Sequence, residues 1–466
     1  MAVAPVLTFL GGTGTVTGSR FLLDTGEARV LVEAGLFQGL KELRLRNRAP
    51  FPVDPATIDA VVVSHAHLDH VGYLPVLVDN GFAGPVLATP GTIDLGAIVL
   101  ADSARLQEEE ADYANRRGFS KHSPALPLYT EESARRAVGR FRPVGYGRPV
   151  EAAPGVTVSL QPAGHILGSA TVAVTIDGPP GRTLFFSGDV GRPRHPLLLP
   201  PAPPVPADVV VVESTYGDRR HEDEAKALER LARAVAATAG RGGVVVIPAF
   251  AVDRTEVILM ALRRLAAEGR IPALPVYADS PMALDVLGVY RRAIAAHDPE
   301  IRPDVLDAAA DPFDPGKLEE VRSPRESMRL HELYGPAIII SASGMVTGGR
   351  VLHHLARRLP DPRNTVVLAG FQAEGSRGRQ LADGARAVKM LGRYVPVRAD
   401  VVQIDAFSVH ADANELLAWL RPMPDPDVAF IVHGTPAASQ TLRQRLVSTR
   451  GWTAVVPAAA ERVRVD

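Results

Sequence analysis

The sequence contains no cysteine, which excludes disulfide bonds and metal sites built from thiolates. Long hydrophobic runs are also missing, and no apolar run reaches the length of a transmembrane helix. The first residues do not combine a basic segment with an apolar stretch, so no secretory signal peptide is predicted. The default expectation is therefore a soluble cytoplasmic protein that makes no contact with a membrane.

Net charge is nearly absent as well, because 51 Lys and Arg residues face 52 Asp and Glu residues in a chain of 466 residues. No global field therefore attracts nucleic acid, and a nucleic-acid site would need a local patch or bound metal ions. Nearly all the basic residues are arginine, which suits bidentate contacts to phosphate. Genomic base composition explains the same bias equally well. The length is sufficient for two domains.

The strongest motif begins at Val61–Val63, where β-branched residues predict a short buried strand. The next segment, Ser64–His70, has the sequence SHAHLDH and so carries three histidines and one aspartate. Imidazole nitrogens and carboxylate oxygens are ligands that zinc takes. Four such residues are too many for one tetrahedral site that also needs distant ligands. The motif therefore predicts two adjacent metal ions, and the plain structural alternative is a histidine-rich surface turn.

Three later segments repeat this layout, in which an apolar strand ends in small residues and a candidate ligand. Such loops at strand ends carry site residues in layered α/β folds. The candidate ligands are His165 after the predicted strand Pro154–Gln161, Asp189 after the apolar run from Thr183, and His433 after Val428–Val432.

The distance along the chain between Asp189 and His433 predicts an inserted domain. If both residues reach the same metal pair, the chain must leave the first domain and return to it. Strands and helices alternate over this part of the chain, which predicts βαβ units and a parallel sheet. We expect one domain at 1–207 and 396–466 and an inserted domain at 208–395. The proline-rich segment Pro193–Pro206 is expected to be a linker or wrap-around loop, and Asp298–Arg325 an irregular, mobile flap.

These motifs resemble the signature of the metallo-β-lactamase superfamily, and later motifs narrow the resemblance to its β-CASP branch of nucleic-acid-processing nucleases. The sequence looks most like bacterial and archaeal relatives of the endonuclease subunit of the cleavage and polyadenylation specificity factor. The resemblance implies an α/β fold: an αββα metallo-β-lactamase sandwich with an inserted β-CASP domain built on a parallel sheet. It also implies two zinc ions per chain, with His65, His67 and His165 on one, Asp69, His70 and His433 on the other, and Asp189 bridging both.

Two further residues match motifs of the β-CASP branch, namely Glu213 in its acidic motif and His410 in its histidine motif. The resemblance implies a zinc-dependent ribonuclease that acts on single-stranded RNA by attack of a hydroxide held between the two metals. The scissile phosphate is expected in the cleft between the domains. The implied catalytic residues are Asp69, Asp189, Glu213 and His410, and the implied substrate-binding residues are Arg254, Ser341, Ser343, Gly344, Met345, Gly375 and Ser408.

Two of the sequence's departures from the family pattern place a carboxylate where the family usually has another residue. Glu33 stands where aspartate usually orients the metal-binding histidines, and Asp253 stands where glycine is usual. Because of Glu33, an inactive homologue that binds or scaffolds nucleic acid remains an alternative to an enzyme. A hydrolase of DNA or of a small metabolite is the other alternative. The sequence also leaves open endonuclease against 5'-3' exonuclease action, a homodimer, and iron or manganese in place of zinc.

Overall fold

The computed structural model describes residues 4–118, 122–178, 181–370 and 372–466, which divide into two units. The split unit comprises Met1–Arg220 and His410–Asp466, and the inserted unit comprises His221–Val409. Among the described residues, no helix has both the length and the apolar character that crossing a bilayer requires.

The elements follow one another along the chain in three segments. The first segment of the split unit contains β1 (Val6–Gly11), β2 (Arg20–Asp24), β3 (Arg29–Val32), α1 (Lys41–Arg46), β4 (Ala60–Val62), α2 (Leu68–Val71), α3 (Leu74–Asp79), β5 (Val86–Ala88), α4 (Pro90–Arg117), α5 (Glu131–Val138), β6 (Phe141–Pro143), β7 (Val150–Ala153), β8 (Val156–Pro162), β9 (Ala170–Ile176), β10 (Arg182–Phe186) and β11 (Val209–Glu213). The inserted unit contains α6 (Glu224–Gly240), β12 (Val244–Pro248), α7 (Arg254–Ala267), β13 (Val276–Ala278), α8 (Pro281–Ala295), α9 (Pro303–Leu306), β14 (Leu318–Glu320), α10 (Pro324–Arg329), β15 (Ala337–Ser341), α11 (Val351–Arg358), β16 (Thr365–Ala369), α12 (Arg377–Ala382), β17 (Ala387–Met390), β18 (Arg393–Pro396) and β19 (Asp400–Ile404). The last segment contains α13 (Ala413–Leu420), β20 (Val428–Val432), α14 (Pro436–Arg450), β21 (Ala454–Val455) and β22 (Arg462–Arg464).

Two sheets form the centre of the split unit. Across the described residues each has seven strands, in the orders β22-β1-β2-β3-β4-β5-β6 and β21-β20-β11-β10-β9-β8-β7. Apolar side chains of both sheets, among them Phe9 and Phe186, form one buried core. Leu74 of α3 and Leu100 of α4 join a second core on the first sheet, and Leu416 of α13 joins a third on the second sheet. Each sheet therefore buries one face against the other sheet and its second face against helices. This arrangement confirms the expected αββα sandwich.

The strands on either side of the insertion lie side by side in the second sheet. β11 pairs in parallel with both β10 and β20, so Val209–Glu213 belongs to the split unit. Parallel neighbours require a long crossover connection, and Pro193–Pro206 lies in the connection between β10 and β11. This segment is therefore not a linker between domains. The first unit boundary falls after Arg220, later than the predicted 207/208.

A six-stranded sheet in the order β14-β13-β15-β12-β16-β19 forms the centre of the inserted unit, counted over the described residues. All its strand pairs are parallel, as predicted. β12, β15 and β16 are buried along their whole length, which suits their runs of valine and isoleucine. β19 pairs with β16, so the second boundary falls after Val409 and not at 395/396.

The expectation of an irregular flap at Asp298–Arg325 is wrong for part of that segment. It contains α9 and the edge strand β14, which pairs in parallel with β13. Glu320 of β14 forms an ion pair of 2.8 Å with Arg291 of α8, which fixes this edge of the sheet. Two charged residues in a three-residue strand give little hydrophobic pattern from which to predict it.

Candidate metal centre

The histidine motif leaves β4 and turns into α2, as a strand-end loop. His65 and His70 are buried, and His67 is the N-cap residue of α2. The loop after β3 supports the motif, because the backbone N–H of Ala34 donates to the carbonyl of His70 at 2.8 Å. Glycine is required beside it: a Cβ on Gly35 would lie 1.6 Å from the carbonyl oxygen of Asp69. Gly35 therefore allows the loop after β3 to pack directly against the backbone of the histidine motif.

Four residues converge as a first group of candidate ligands: His65, His67, His165 and Asp189, whose ligand atoms all lie within 4.8 Å of one another. Nδ1 of His67 lies 3.1 Å from Nε2 of His65 and 3.2 Å from Nε2 of His165. Oδ2 of Asp189 lies 3.5 Å from Nε2 of His65 and 3.6 Å from Nε2 of His165. These four donors surround one position that a cation fits.

A second group consists of Asp69, His70 and His433, whose ligand atoms also lie within 4.8 Å of one another. Nε2 of His433 lies 3.3 Å from Nε2 of His70 and 3.5 Å from Oδ2 of Asp69. Oδ1 of Asp189 faces this group, at 3.4 Å from His70 and 3.3 Å from His433. The two oxygens of Asp189 therefore face different groups, which is the arrangement of a bridging ligand. The structure brings all seven predicted ligands together.

The protonation states of the histidines divide them into two classes. Burial lowers the pKa of His67 to about 4 and holds the pKa values of His65 and His165 well below the ordinary value. Burial also acts to lower the pKa of His70, but Asp189 and Glu33 outweigh it and raise this pKa well above the ordinary value. Three imidazoles are thus neutral and ready to coordinate, whereas His70 carries a proton that a metal must displace.

The two aspartates are held in the ionised form that coordination requires. Burial acts to raise the pKa of Asp69, but a hydrogen bond with His433 and the charge of His70 outweigh it and lower this pKa. The pKa of Asp189 is lowered well below its ordinary value for a similar reason, because the charges of His433 and His70 outweigh burial. Carboxylates in this state bind divalent cations.

A buried polar atom without a hydrogen bond shows that the residues present fit a metal. Among the described residues, Oδ1 of Asp189 is buried and accepts no hydrogen bond. An unpaired buried carboxylate oxygen is costly, and a divalent cation beside it would remove the cost. Donors of nitrogen and oxygen type suit zinc, and they also suit iron or manganese.

Glu33 occupies the position where the family usually has aspartate, and its longer side chain still reaches the site. Oε2 lies 3.5 Å from Nδ1 of His70 and accepts a hydrogen bond of 3.4 Å from the backbone N–H of Ser64. Glu33 has a φ of 67°, which is unusual for a residue other than glycine. A carboxylate on the second nitrogen of a ligand histidine orients the ring.

Glu213 and His410 lie together beside Asp189. Nδ1 of His410 lies 3.4 Å from Oε1 of Glu213 and 3.8 Å from Oδ2 of Asp189. Glu213 is buried at the end of β11, and its Oε1 accepts a hydrogen bond of 2.7 Å from the backbone N–H of Val190. The backbone N–H of Ala411 donates to the carbonyl of Val190, which fixes the chain next to His410.

Two hydroxyl side chains at the site were missed in the sequence. Oγ of Ser64 lies 2.9 Å from Nδ1 of His65, and Oγ1 of Thr215 lies 3.0 Å from Nδ1 of His433. Each therefore contacts a ring nitrogen of a candidate ligand. The sequence signal for these two residues was their position beside candidate site residues. Ser64 precedes the first histidine of the motif, and Thr215 lies two residues after Glu213.

The seven predicted substrate-binding residues all belong to the inserted unit, and they differ in exposure. Arg254, Ser341 and Ser408 are buried. Arg254 donates to the carbonyl of Ala369 at 3.0 Å, and Ser341 donates to the carbonyl of Asp279 at 2.8 Å. Their contact with a substrate stays a prediction.

The remaining four predicted substrate residues lie in two loops. Oγ of Ser343 accepts a hydrogen bond from the backbone N–H of Thr347, which closes the loop after β15. In the same loop, the carbonyl of Gly344 accepts from Gln372 and the carbonyl of Met345 from the backbone N–H of Gly378. Gly375 is exposed with a φ of 78° in the neighbouring loop. Phe371, which precedes that loop in the family-like block Phe371–Gly375, lies outside the described residues.

Comparison with known proteins agrees with this architecture. The family model of the metallo-β-lactamase superfamily matches residues 14–241, and that of the Beta-Casp domain matches residues 255–381. A third model, described as the Zn-dependent metallo-hydrolase RNA specificity domain, matches residues 394–457. Fold and site together thus define a metallo-hydrolase with a metallo-β-lactamase fold.

Known relatives extend over almost the whole chain. Ribonuclease TTHA0252 of Thermus thermophilus is 39% identical over 91% of this chain and 92% of its own length. The transcription termination factor FttA of Methanosarcina mazei is 31% identical over 96% of this chain and 70% of its own length. The chain belongs to the β-CASP family of the metallo-β-lactamase superfamily. A crystal structure of a protein of unknown function from Enterococcus faecalis shares the fold, with a TM-score of 0.53 at 14% identity, over 99% of this chain and 100% of that one.

Proposed function

We propose that this protein is a ribonuclease that cleaves single-stranded RNA and holds two zinc ions per chain at the candidate metal centre. The observation that carries the proposal is the position of Asp189, whose Oδ2 faces His65 and whose Oδ1 faces His70. Two metals joined by one carboxylate suit in-line hydrolysis of a phosphodiester. The relative named as a ribonuclease supports RNA as the substrate.

The chain's own residues supply orientation and a proton donor. When bound, two zinc ions would lower the pKa of a water molecule and neutralise charge on the phosphate oxygens. Glu213 is fixed by Val190 and faces Nδ1 of His410, so it orients the imidazole. We assign Nε2 of His410 as the atom that gives a proton to the departing oxygen. Such general acid catalysis contributes roughly 10²–10⁴-fold in rate.

The direct test is cleavage of labelled single-stranded RNA by the full-length protein, with metal content measured on the same sample. We expect cleavage with two zinc ions per chain, and loss of cleavage in Asp189→Ala. Asp177→Ala is the matched control, because Asp177 is an exposed carboxylate in the same unit. Equal activity of wild type and Asp189→Ala would remove the assignment.

The same assay separates the finer alternatives. End-labelled and internally labelled RNA distinguish endonuclease from 5'-3' exonuclease action, because only an endonuclease releases internal fragments first. Single-stranded DNA and a panel of small esters, tested beside RNA, address the other hydrolase classes. Reconstitution with iron or manganese tests the native metal.

An inactive scaffolding homologue is the main alternative from another class. Glu33 was the sequence feature that favoured it, yet its carboxylate lies 3.5 Å from His70, which supports a working site. Less than one zinc ion per chain at neutral pH would favour the inactive homologue. A cytoplasmic location, a homodimer and a scissile phosphate between the domains stay predictions.

A further inference from the structure

The β17–β18 hairpin of the inserted unit has one buried and one exposed face. Val388 pairs with Val395, and both side chains belong to the hydrophobic core of this unit. Lys389 pairs with Tyr394 on the opposite face, where both are exposed. Tyr394 is 74% exposed, although nothing in the fold requires a tyrosine on a solvent-facing strand. An exposed aromatic residue paired with a cation is therefore a candidate contact surface.

The segment that contains this hairpin is strongly basic in a chain that is nearly neutral. Residues 384–399 contain four cations and no acidic residue. The four cations are exposed, and within the described part of the chain none of them forms an ion pair: Arg386, Lys389, Arg393 and Arg398. Arg379 just before this segment is paired with Asp383, and many other surface arginines are paired as well. Unpaired clustered cations favour an anionic partner.

A single arginine connects the hairpin to the loop after β15. Nε of Arg377 donates to the carbonyl of Lys389 at 2.7 Å. Nη1 of the same guanidinium donates to the carbonyls of Val346 at 3.2 Å and Thr347 at 3.0 Å. The hairpin therefore adjoins the loop that contains Ser343, Gly344 and Met345, three of the predicted substrate-binding residues.

We propose that the exposed side chains of the β17–β18 hairpin bind single-stranded RNA. Tyr394 would stack on a base with Lys389 beside it on one phosphate, and Arg393, which pairs with Met390 next to the turn, would contact a neighbouring phosphate. The proposal rests on the proposed function, and it assigns a binding surface for the substrate strand in addition to the metal centre. Stacking on an aromatic ring tolerates every base, and cations bind the backbone without reading sequence. The hairpin would therefore supply affinity rather than sequence preference.

The test is equilibrium binding of a fluorescent, hydrolysis-resistant phosphorothioate RNA to the full-length protein. We expect Tyr394→Ala to raise Kd by at least about fivefold, because stacking contributes roughly 1–3 kcal/mol per base. Tyr394→Phe keeps the ring and is expected to bind like the wild type. Tyr334→Ala is the matched control, since Tyr334 is 98% exposed in the same unit and lies outside the hairpin.

The charges are tested by the salt dependence of the same binding. We expect the double variant Lys389→Gln, Arg393→Gln to bind more weakly and to reduce the slope of log K against log salt by about 1.4, which corresponds to two phosphate contacts on a single strand. Arg325→Gln removes another exposed cation of the inserted unit and is expected to leave the slope unchanged. Since all these side chains are exposed, unchanged thermal unfolding is expected and shows that the variants are folded.

Failure of this inference is distinguishable from failure of the proposed function. If the wild type cleaves RNA but the hairpin variants bind it normally, the hairpin proposal is overturned and the ribonuclease stands. A hairpin that serves an acidic protein or a second copy of the chain would give that result too. If RNA binding depends on Tyr394 while no RNA is cleaved, the surface stands and the ribonuclease assignment falls.

Discussion

Nδ1 of His410 lies 3.4 Å from Oε1 of Glu213, and the same oxygen is fixed by the backbone N–H of Val190. This pair predicts a catalytic role for His410 that is separate from metal binding. We expect His410→Ala to lower kcat for RNA cleavage by roughly 10²–10⁴-fold, the usual contribution of a general acid. The zinc content should not change, because His410 belongs to none of the groups of possible ligand residues.

The comparison variant for His410 is His353→Ala, which removes an exposed histidine of the inserted unit. It should retain wild-type kcat. Loss of zinc from His410→Ala would mean that the residue is a ligand, and unchanged kcat would exclude it as the proton donor.

The metal ligands could be predicted from sequence because each follows a local pattern. His65, His165, Asp189 and His433 come after apolar strands, and the strand with its polar end is visible within ten residues. Parallel neighbours then bring their carboxyl ends to one edge of a sheet, as β10, β11 and β20 do. Local pattern and sheet geometry thus agree for Asp189 and His433.

The domain boundaries were less predictable because they depend on long-range pairing. The run Val209–Glu213 has the same valine-rich pattern whether it pairs with β10 and β20 or with a strand of the inserted sheet. Edge strand β14 has too few apolar residues to be recognised at all. The contacts of Ser64 and Thr215 were missed as well, because their position beside a candidate site residue was a weak signal without a distinctive spacing.

Glu33 gives a second prediction, about metal affinity. Its carboxylate lies 3.5 Å from Nδ1 of His70, and we expect Glu33→Gln to weaken metal binding by roughly 10–100-fold, as is usual for partners of ligand histidines. Metal titration by calorimetry measures the change. Glu27→Gln, at an exposed position of the same unit, serves as the reference and should bind metal normally. Equal affinity of all three proteins would show that the glutamate has no orienting role.

Proton release on metal binding gives a third prediction. Asp189 and Glu33 raise the pKa of His70 well above its ordinary value, whereas burial lowers the pKa values of His65, His67 and His165. In the metal-free protein at neutral pH, His70 is therefore protonated and the other three are neutral. We expect metal binding to release the proton of His70, and the metal affinity to increase with pH around neutrality.

Calorimetry in buffers of different ionisation enthalpy counts the protons that are released. Glu33→Gln removes one of the two charges that raise the pKa of His70, so this variant should release less than the wild type at the same pH. Metal binding without any release would contradict the protonated state of His70.

A buried polar cluster in the inserted unit gives the last prediction, about stability in acid. Asp279 accepts hydrogen bonds from Arg350 at 2.7 Å, from Ser327 at 2.5 Å and from Nε2 of His354 at 2.5 Å. Burial alone would raise the pKa of Asp279, but these hydrogen bonds outweigh burial and lower it below the ordinary value. A group whose pKa is lower in the folded state stabilises the protein fully above its unfolded pKa and loses that contribution as pH falls through the folded pKa.

We therefore expect Asp279→Ala to destabilise the inserted unit by about 3 kcal/mol or more near neutral pH, since it leaves buried donors without their charged partner. The difference in unfolding free energy from the wild type should shrink as the pH falls from 3.8 through the lower pKa of the folded carboxyl, where that group also becomes protonated. Asp285→Ala removes a carboxylate that is 55% exposed and pairs with Arg322, and it should cost less than about 1 kcal/mol at any pH. Unfolding followed by circular dichroism between acid and neutral pH makes the comparison. A penalty for Asp279→Ala that is the same at every pH would show that the ionised carboxylate is not what stabilises this cluster.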